Sequence, residues 1–201
     1  MNLRTGNYKN SRSPWTGRLF LVLLLSSVSA KMKTRLVANF FNHGDCPEKK
    51  HDFRFTNVTL FMNKGGGVYA YLEFDLLRPA KVLSKVSFVF HRCLGAISPN
   101  LCEYYQTLSW GTAICNLLVL KHMLWSQILE STQPTFKCPA KAGHYIVTNA
   151  SFDLENVEKT LPGLGKEKYI WTIEVLSYKE TKELYTCFSF STQLTRIKVQ
   201  Q

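Results

Sequence analysis

The sequence predicts a mainly β protein, an antiparallel β-sandwich or β-cup with one helix, stapled by disulfides. Three observations lead there. Short runs alternate between apolar and polar residues and are separated by turn signals, as in residues 68–77 and 185–194. Helical spacing shows in a single stretch, residues 109–130. Six cysteines, Cys46, Cys93, Cys102, Cys115, Cys138 and Cys187, follow an apolar leader. An even count behind such a leader fits three disulfides, and spacing alone leaves 15 pairings open for six cysteines.

The leader is read from residues 1–30. Arg4, Lys9, Arg12 and Arg18 precede a short apolar run at 19–25, and Val28-Ser29-Ala30 fits a small-residue cleavage site. The run is shorter than the roughly 20 apolar residues a spanning helix needs. Residues 31–201 are then expected to form one domain, secreted and extracellular. Two sequons, at Asn57 and Asn149, suit a glycoprotein on that route.

Four of the 25 basic residues leave with the leader and no acids do, which leaves 21 against 14 and a net charge of +7. The cations are scattered, with no basic run and no nucleic-acid motif, so no nucleic-acid partner is expected.

Along the chain, residues 31–52 read as a polar lead-in whose Cys46 ties it to something distant. Residues 53–61 read as a first strand. Asn63-Lys64-Gly65-Gly66-Gly67 is a turn, without the Lys-Ser/Thr and helix start of a phosphate loop. Residues 68–77 follow, with Ala70, Leu72, Phe74 and Leu76 on one face and Tyr69, Tyr71, Glu73 and Asp75 on the other. Residues 82–91 form another strand, and Cys93 and Cys102 bracket a loop. The helix is expected over 109–130, on Ile114, Leu117, Leu118, Leu124, Trp125 and Ile128, and is stopped by Pro134. Residues 145–152, the alternating set Tyr169, Trp171, Ile173 and Val175, and residues 185–194 complete six or so strands. Residues 153–164 read as a polar loop.

Several of these residues carry a resemblance. They are Cys138-Pro139 with Gly143 and Tyr145, Leu161-Pro162, the run from Tyr169 through Trp171 to Ser177, and Leu184 with Cys187. Upstream, Cys93 with Cys102 and Cys115-Asn116-Leu117-Leu118 add to it. The pattern resembles the ganglioside-activator branch of the ML-like lipid-recognition proteins and the insect CheB-type secreted chemosensory proteins. The resemblance covers most of residues 46–198. It implies an apolar cup between β-sheets, service in chemical sensing such as pheromone response, and the pairs Cys46–Cys187, Cys93–Cys102 and Cys115–Cys138. The ganglioside activator has one further disulfide near the third pair, and this sequence lacks those cysteines.

The residues offer no enzyme chemistry. The five histidines form no H-E-x-x-H or zinc spacing, and no Gly-x-Ser-x-Gly elbow is present. No catalytic residue, metal or cofactor is therefore expected. The expected cup lining is Phe74, Phe88, Phe90, Leu117, Leu124, Trp125, Trp171, Ile173, Phe188 and Phe190. Burying about 300 Å² of ligand at about 25 cal/mol per Å² is worth roughly 7 kcal/mol before association costs. The expected partner is a lipid or other small hydrophobic ligand. The competing reading is a secreted protein that modulates a membrane receptor or channel without a cavity, suggested by the basic surface and by Tyr69 and Tyr71.

Overall fold

In a computed structural model, the described residues run from 33 to 199 apart from 64–66, 112–113, 122, 124, 153, 155–157, 160–162 and 165–167. The expected leader, Leu161-Pro162 and the lining residue Leu124 lie outside them. The described residues form nine strands: β1 (Lys33–Asp45), β2 (Phe53–Met62), β3 (Val68–Leu76), β4 (Leu83–Leu94), β5 (Cys102–Trp110), β6 (Thr132–Gln133), β7 (Gly143–Ser151), β8 (Tyr169–Lys179) and β9 (Leu184–Val199). Two short helices, α1 (Ile114–Leu117) and α2 (Ser126–Glu130), lie between β5 and β6. The strands make two sheets, one of five in the order β1-β9-β8-β4-β5 and one of four in the order β2-β3-β7-β6.

Alternation sets the faces. The β2–β3 hairpin pairs Leu60 with Ala70 and Val58 with Leu72, so these point inward, while Thr59 pairs with Tyr71 and Phe61 with Tyr69 outside. Its turn is closed by Asn63, whose amide donates to the Gly67 carbonyl and whose Oδ1 accepts from the Gly67 amide. In the larger sheet β8 pairs with β4 and β9, and Phe88–Val175–Phe188 and Phe90–Ile173–Phe190 form inward rows. The Cys93–Cys102 hairpin turns at Gly95, whose φ of 78° favours a residue without Cβ.

Three regions differ from the sequence reading. Residues 33–45 are a strand, not a polar lead-in. Leu36, Val37 and Ala38 are all buried there, so burial on both faces leaves no alternation to read. Residues 102–110 are an edge strand. A bulge opposite Phe90 and His91 adds Tyr105 to its face, so Tyr105, Leu108 and Trp110 fall out of a period of two. The helical region is two short pieces instead of one five-turn rod. The Ser126 hydroxyl accepts from the Met123 amide and donates to the Leu120 carbonyl, taking up two groups that a continuous helix would pair. Within the expected polar loop, Leu154, Glu158 and Lys159 are helical.

The interior has two sealed layers. One joins Leu36 and Ala38 of β1, Phe90, Trp171, Ile173 and Leu194 with Leu164. The other joins Phe53, Leu76, Val86, Ile114, Tyr145 and Tyr185. Disulfides join Cys46 to Cys187, Cys93 to Cys102 and Cys115 to Cys138. The first clamps the end of β1 onto β9, and the third ties α1 to the segment before β7.

A buried ion cluster closes the second layer. Asp52 is 4% exposed and meets Arg78 Nε at 2.6 Å and Lys179 Nζ at 2.5 Å. The Asp52 amide donates to the Tyr185 carbonyl, and its own carbonyl accepts from the Leu77 amide. Burial pushes the Asp52 carboxyl up, but hydrogen bonds from Arg78 and Lys179 outweigh this and hold it below the ordinary value. Burial pushes the Tyr185 phenol well up, with Tyr145 and Asp52 adding to the shift, so it stays a donor to the Arg78 carbonyl at 3.0 Å.

Candidate ligand-binding cup

Between the sealed layers lies a waist. Phe88 and Phe188 pack against both layers, Phe55 and Phe74 against the second and Phe190 against the first, and all five are only partly buried. In a uniformly packed sandwich the middle of the interior is the most buried part. Here Val175, in the row with Phe88 and Phe188, is 7% exposed and Val147 of β7 is 0% exposed, so the middle is well packed around the five rings.

The rings are held in fixed relations. Phe53 stacks on Phe74 at 5.2 Å, and Phe74 stacks on Tyr145 at 5.2 Å. Phe188 lies 5.3 Å from Phe53 and edge-on to Phe55 at 5.5 Å. On the other side Phe88 meets Trp110 edge-on at 5.6 Å, and Trp110 meets Trp125 at the same distance. Such contacts fix the orientation of the rings.

A cleft of about 460 Å³ lies between the edge strands β1 and β2, bordered by residues of β1 from Ala38 to His43, by Val58 to Met62 of β2 and by Val68. Phe40 reaches from the cleft to Phe152 and Phe190, each at 6.1 Å. The cleft lining mixes polar and apolar side chains and includes none of the expected lining residues.

The expected lining residues divide. Phe74, Phe88, Phe188 and Phe190 are partly buried, and Phe74 and Phe188 both pack against Phe53. Leu117 and Trp125 are half-buried beside the second layer. Phe90, Trp171 and Ile173, at 4%, 1% and 8% exposed, are sealed in the first layer instead. The Trp171 indole there donates to the Leu164 carbonyl at 3.0 Å. Residues not anticipated include Phe40, Phe55, Leu108 and Trp110. Phe53-Arg54-Phe55 carried an alternation signal for Phe55. The bulge hid Leu108 and Trp110, and the missed strand hid Phe40.

Both sequons lie on the outside of the four-stranded sheet. Asn57 on β2 pairs with Glu73, and Asn149 sits at a φ of 56° where the β3–β7 register shifts. They flank β3, whose Glu73 accepts from the Tyr71 phenol at 2.5 Å and whose Asp75 meets His144 Nδ1 at 2.8 Å. Among the described residues, the one group close enough to hold a metal is Cys46, Glu174 and Cys187. Both of those sulfurs are bonded to each other, so they are not free ligands.

Comparison with known proteins adds no relative. No family model matches the chain, and no curated protein matches it.

Proposed function

We propose that this chain is a secreted, non-enzymatic carrier of a lipid or other hydrophobic ligand, held between its two sheets. The carrying observation is the set of partly buried phenylalanines, Phe55, Phe74, Phe88, Phe188 and Phe190, that pack against the two buried layers. The three disulfides support an oxidising destination, and the apolar leader supports export. The sequence resemblance to ganglioside-activator-like and CheB-type proteins adds chemical sensing as the physiological setting.

Trp110 and Trp125 supply a direct readout, since both are half-buried and in contact beside the waist. Delipidated protein titrated with a fluorescent fatty acid is expected to shift its tryptophan emission and take up the probe saturably. Native mass spectrometry is expected to show an apolar molecule co-purifying. A protein that takes up no probe and carries no ligand would refute the carrier reading.

A second reading is favoured by one observation. Phe61 stacks on Tyr69 at 5.5 Å on the outer face of β2 and β3, and Phe61 is 46% exposed, which suits contact with a membrane receptor or channel. Retention of such a protein by wild type and its loss with Phe61→Ser, without lipid uptake, would favour that reading.

A further inference from the structure

We propose that the ligand is an amphiphile with an acidic head, a carboxylate or a phosphate, and that Arg92 holds that head where β4, β5 and β8 meet. This deepens the carrier reading and rests on it. Arg92 follows Phe88 and Phe90 on the inner face of β4 and pairs in register with Trp171. A guanidinium in a row of inward phenylalanines costs free energy unless it is partnered. Its carboxylate partner, Glu103, engages Nε at 2.6 Å and is itself 62% exposed. That leaves the paired Nη edge of the fork, the edge that grips an oxyanion through two parallel hydrogen bonds.

The fork is also preset. Its Cζ lies 5.4 Å from the Tyr105 ring centre and 5.2 Å from that of Tyr169, so two phenol rings hold it in place. Lys168 Nζ lies 4.8 Å from the same Tyr169 ring and adds a second cation. Against Glu103, the cluster keeps a positive balance. The Arg92 side chain remains 30% exposed and so is open to a ligand.

A mainly apolar edge leads from this head site along β5, interrupted by Gln106 opposite Phe90. Tyr105, Leu108 and Trp110 are half-buried along β5. Phe88 pairs with Leu108 and Val86 with Trp110. From Tyr105 to Trp110 this edge runs about 17 Å at ~3.4 Å per residue, a length suited to a long acyl chain.

The test uses the full, disulfide-bonded, delipidated protein and compares hexadecanoate, hexadecyl phosphate and 1-hexadecanol by displacement of a fluorescent probe. Wild type is expected to bind at least one acid about 10-fold or more tighter than the alcohol, the size of one lost charge-assisted pair. Arg92→Met is expected to lose that preference, and Arg92→Lys to retain part of it. The two acids distinguish a carboxylate site from a phosphate site. Equal binding of acids and alcohol by wild type overturns the proposal and leaves the carrier reading intact, whereas binding of none of them overturns the carrier reading. Displacement by millimolar acetate or inorganic phosphate alone overturns the assignment to an amphiphile. Should Arg92→Met fail to fold, Arg92→Lys is read in its place, and an acid preference unchanged from wild type overturns the assignment to Arg92.

Discussion

Lys179 meets Asp52 across a large gap in sequence, with Nζ 2.5 Å from Oδ2 and the two side chains 8% and 5% exposed. Arg78 completes the cluster from the β3–β4 connection. Three parts of the chain therefore converge on one buried carboxylate: the start of β2, the β3–β4 connection and the end of β8. The Asp52 pKa is depressed in the folded protein, so its contribution to stability is present above the ordinary carboxylate range and is lost as pH falls through the folded value. Asp52→Asn is expected to destabilise by about 3 kcal/mol, because Lys179 is left buried without a counter-charge. It should also flatten the loss of stability below about pH 4, near the usual Asp pKa. Urea melts of both proteins across that range check this, and an unchanged acid slope would refute it.

The disulfides are expected to contribute in the order of the loops they close. Their sequence separations of 141, 23 and 9 correspond to about 5, 3.5 and 2.7 kcal/mol of chain entropy for Cys46–Cys187, Cys115–Cys138 and Cys93–Cys102. Cys46→Ala and Cys187→Ala should lower secretion alike and more than loss of the Cys93–Cys102 pair. Secretion yield and denaturation midpoints of the paired alanine variants test the order.

Trp171→Phe removes the donor to the Leu164 carbonyl while keeping an aromatic ring in the first layer. A buried carbonyl without its partner costs about 1–3 kcal/mol. Leu164, itself 2% exposed, should then loosen with its loop. Faster amide exchange and proteolysis around residues 163–164, with β8 and β9 unaffected, is the expected signature.

Phe188 borders both sealed layers and touches Phe53 and Phe55. Phe188→Ala should widen the waist. Its cost is expected near the lower end of the ~3–5 kcal/mol typical of a phenylalanine deletion in a sealed core, since the ring is only partly buried. Chain-length preference in fatty-acid uptake should move toward bulkier ligands. A cost at the top of that range, with no change in uptake, would mean a closed core at this position.

The strand faces were legible in the sequence because alternation is local. A residue's side of a strand depends on its parity, and β3, β8 and β9 keep an unbroken parity through their central runs. Phe188 and Phe190 opposite Cys187 and Ser189 follow from that alone. The same locality explains the misreadings. The bulge at Tyr105 resets parity in β5, and Leu36-Val37-Ala38 in β1 is buried on both faces. Ser126 breaks a helical pattern through a side-chain bond that residue spacing does not encode.

Composition, parity and an even cysteine count were enough to specify a disulfide-stapled β-sandwich. They could not say which of 15 cysteine pairings forms, because a pairing depends on where distant strands lie. Nor could they separate Phe90 from Phe88, two positions apart on the same face. The register of β4 against β8 and the position of the second sheet seal the first and leave the second half-open. Whether an aromatic row is core or wall depends on what stands opposite it, and that is a property of the packed sheets.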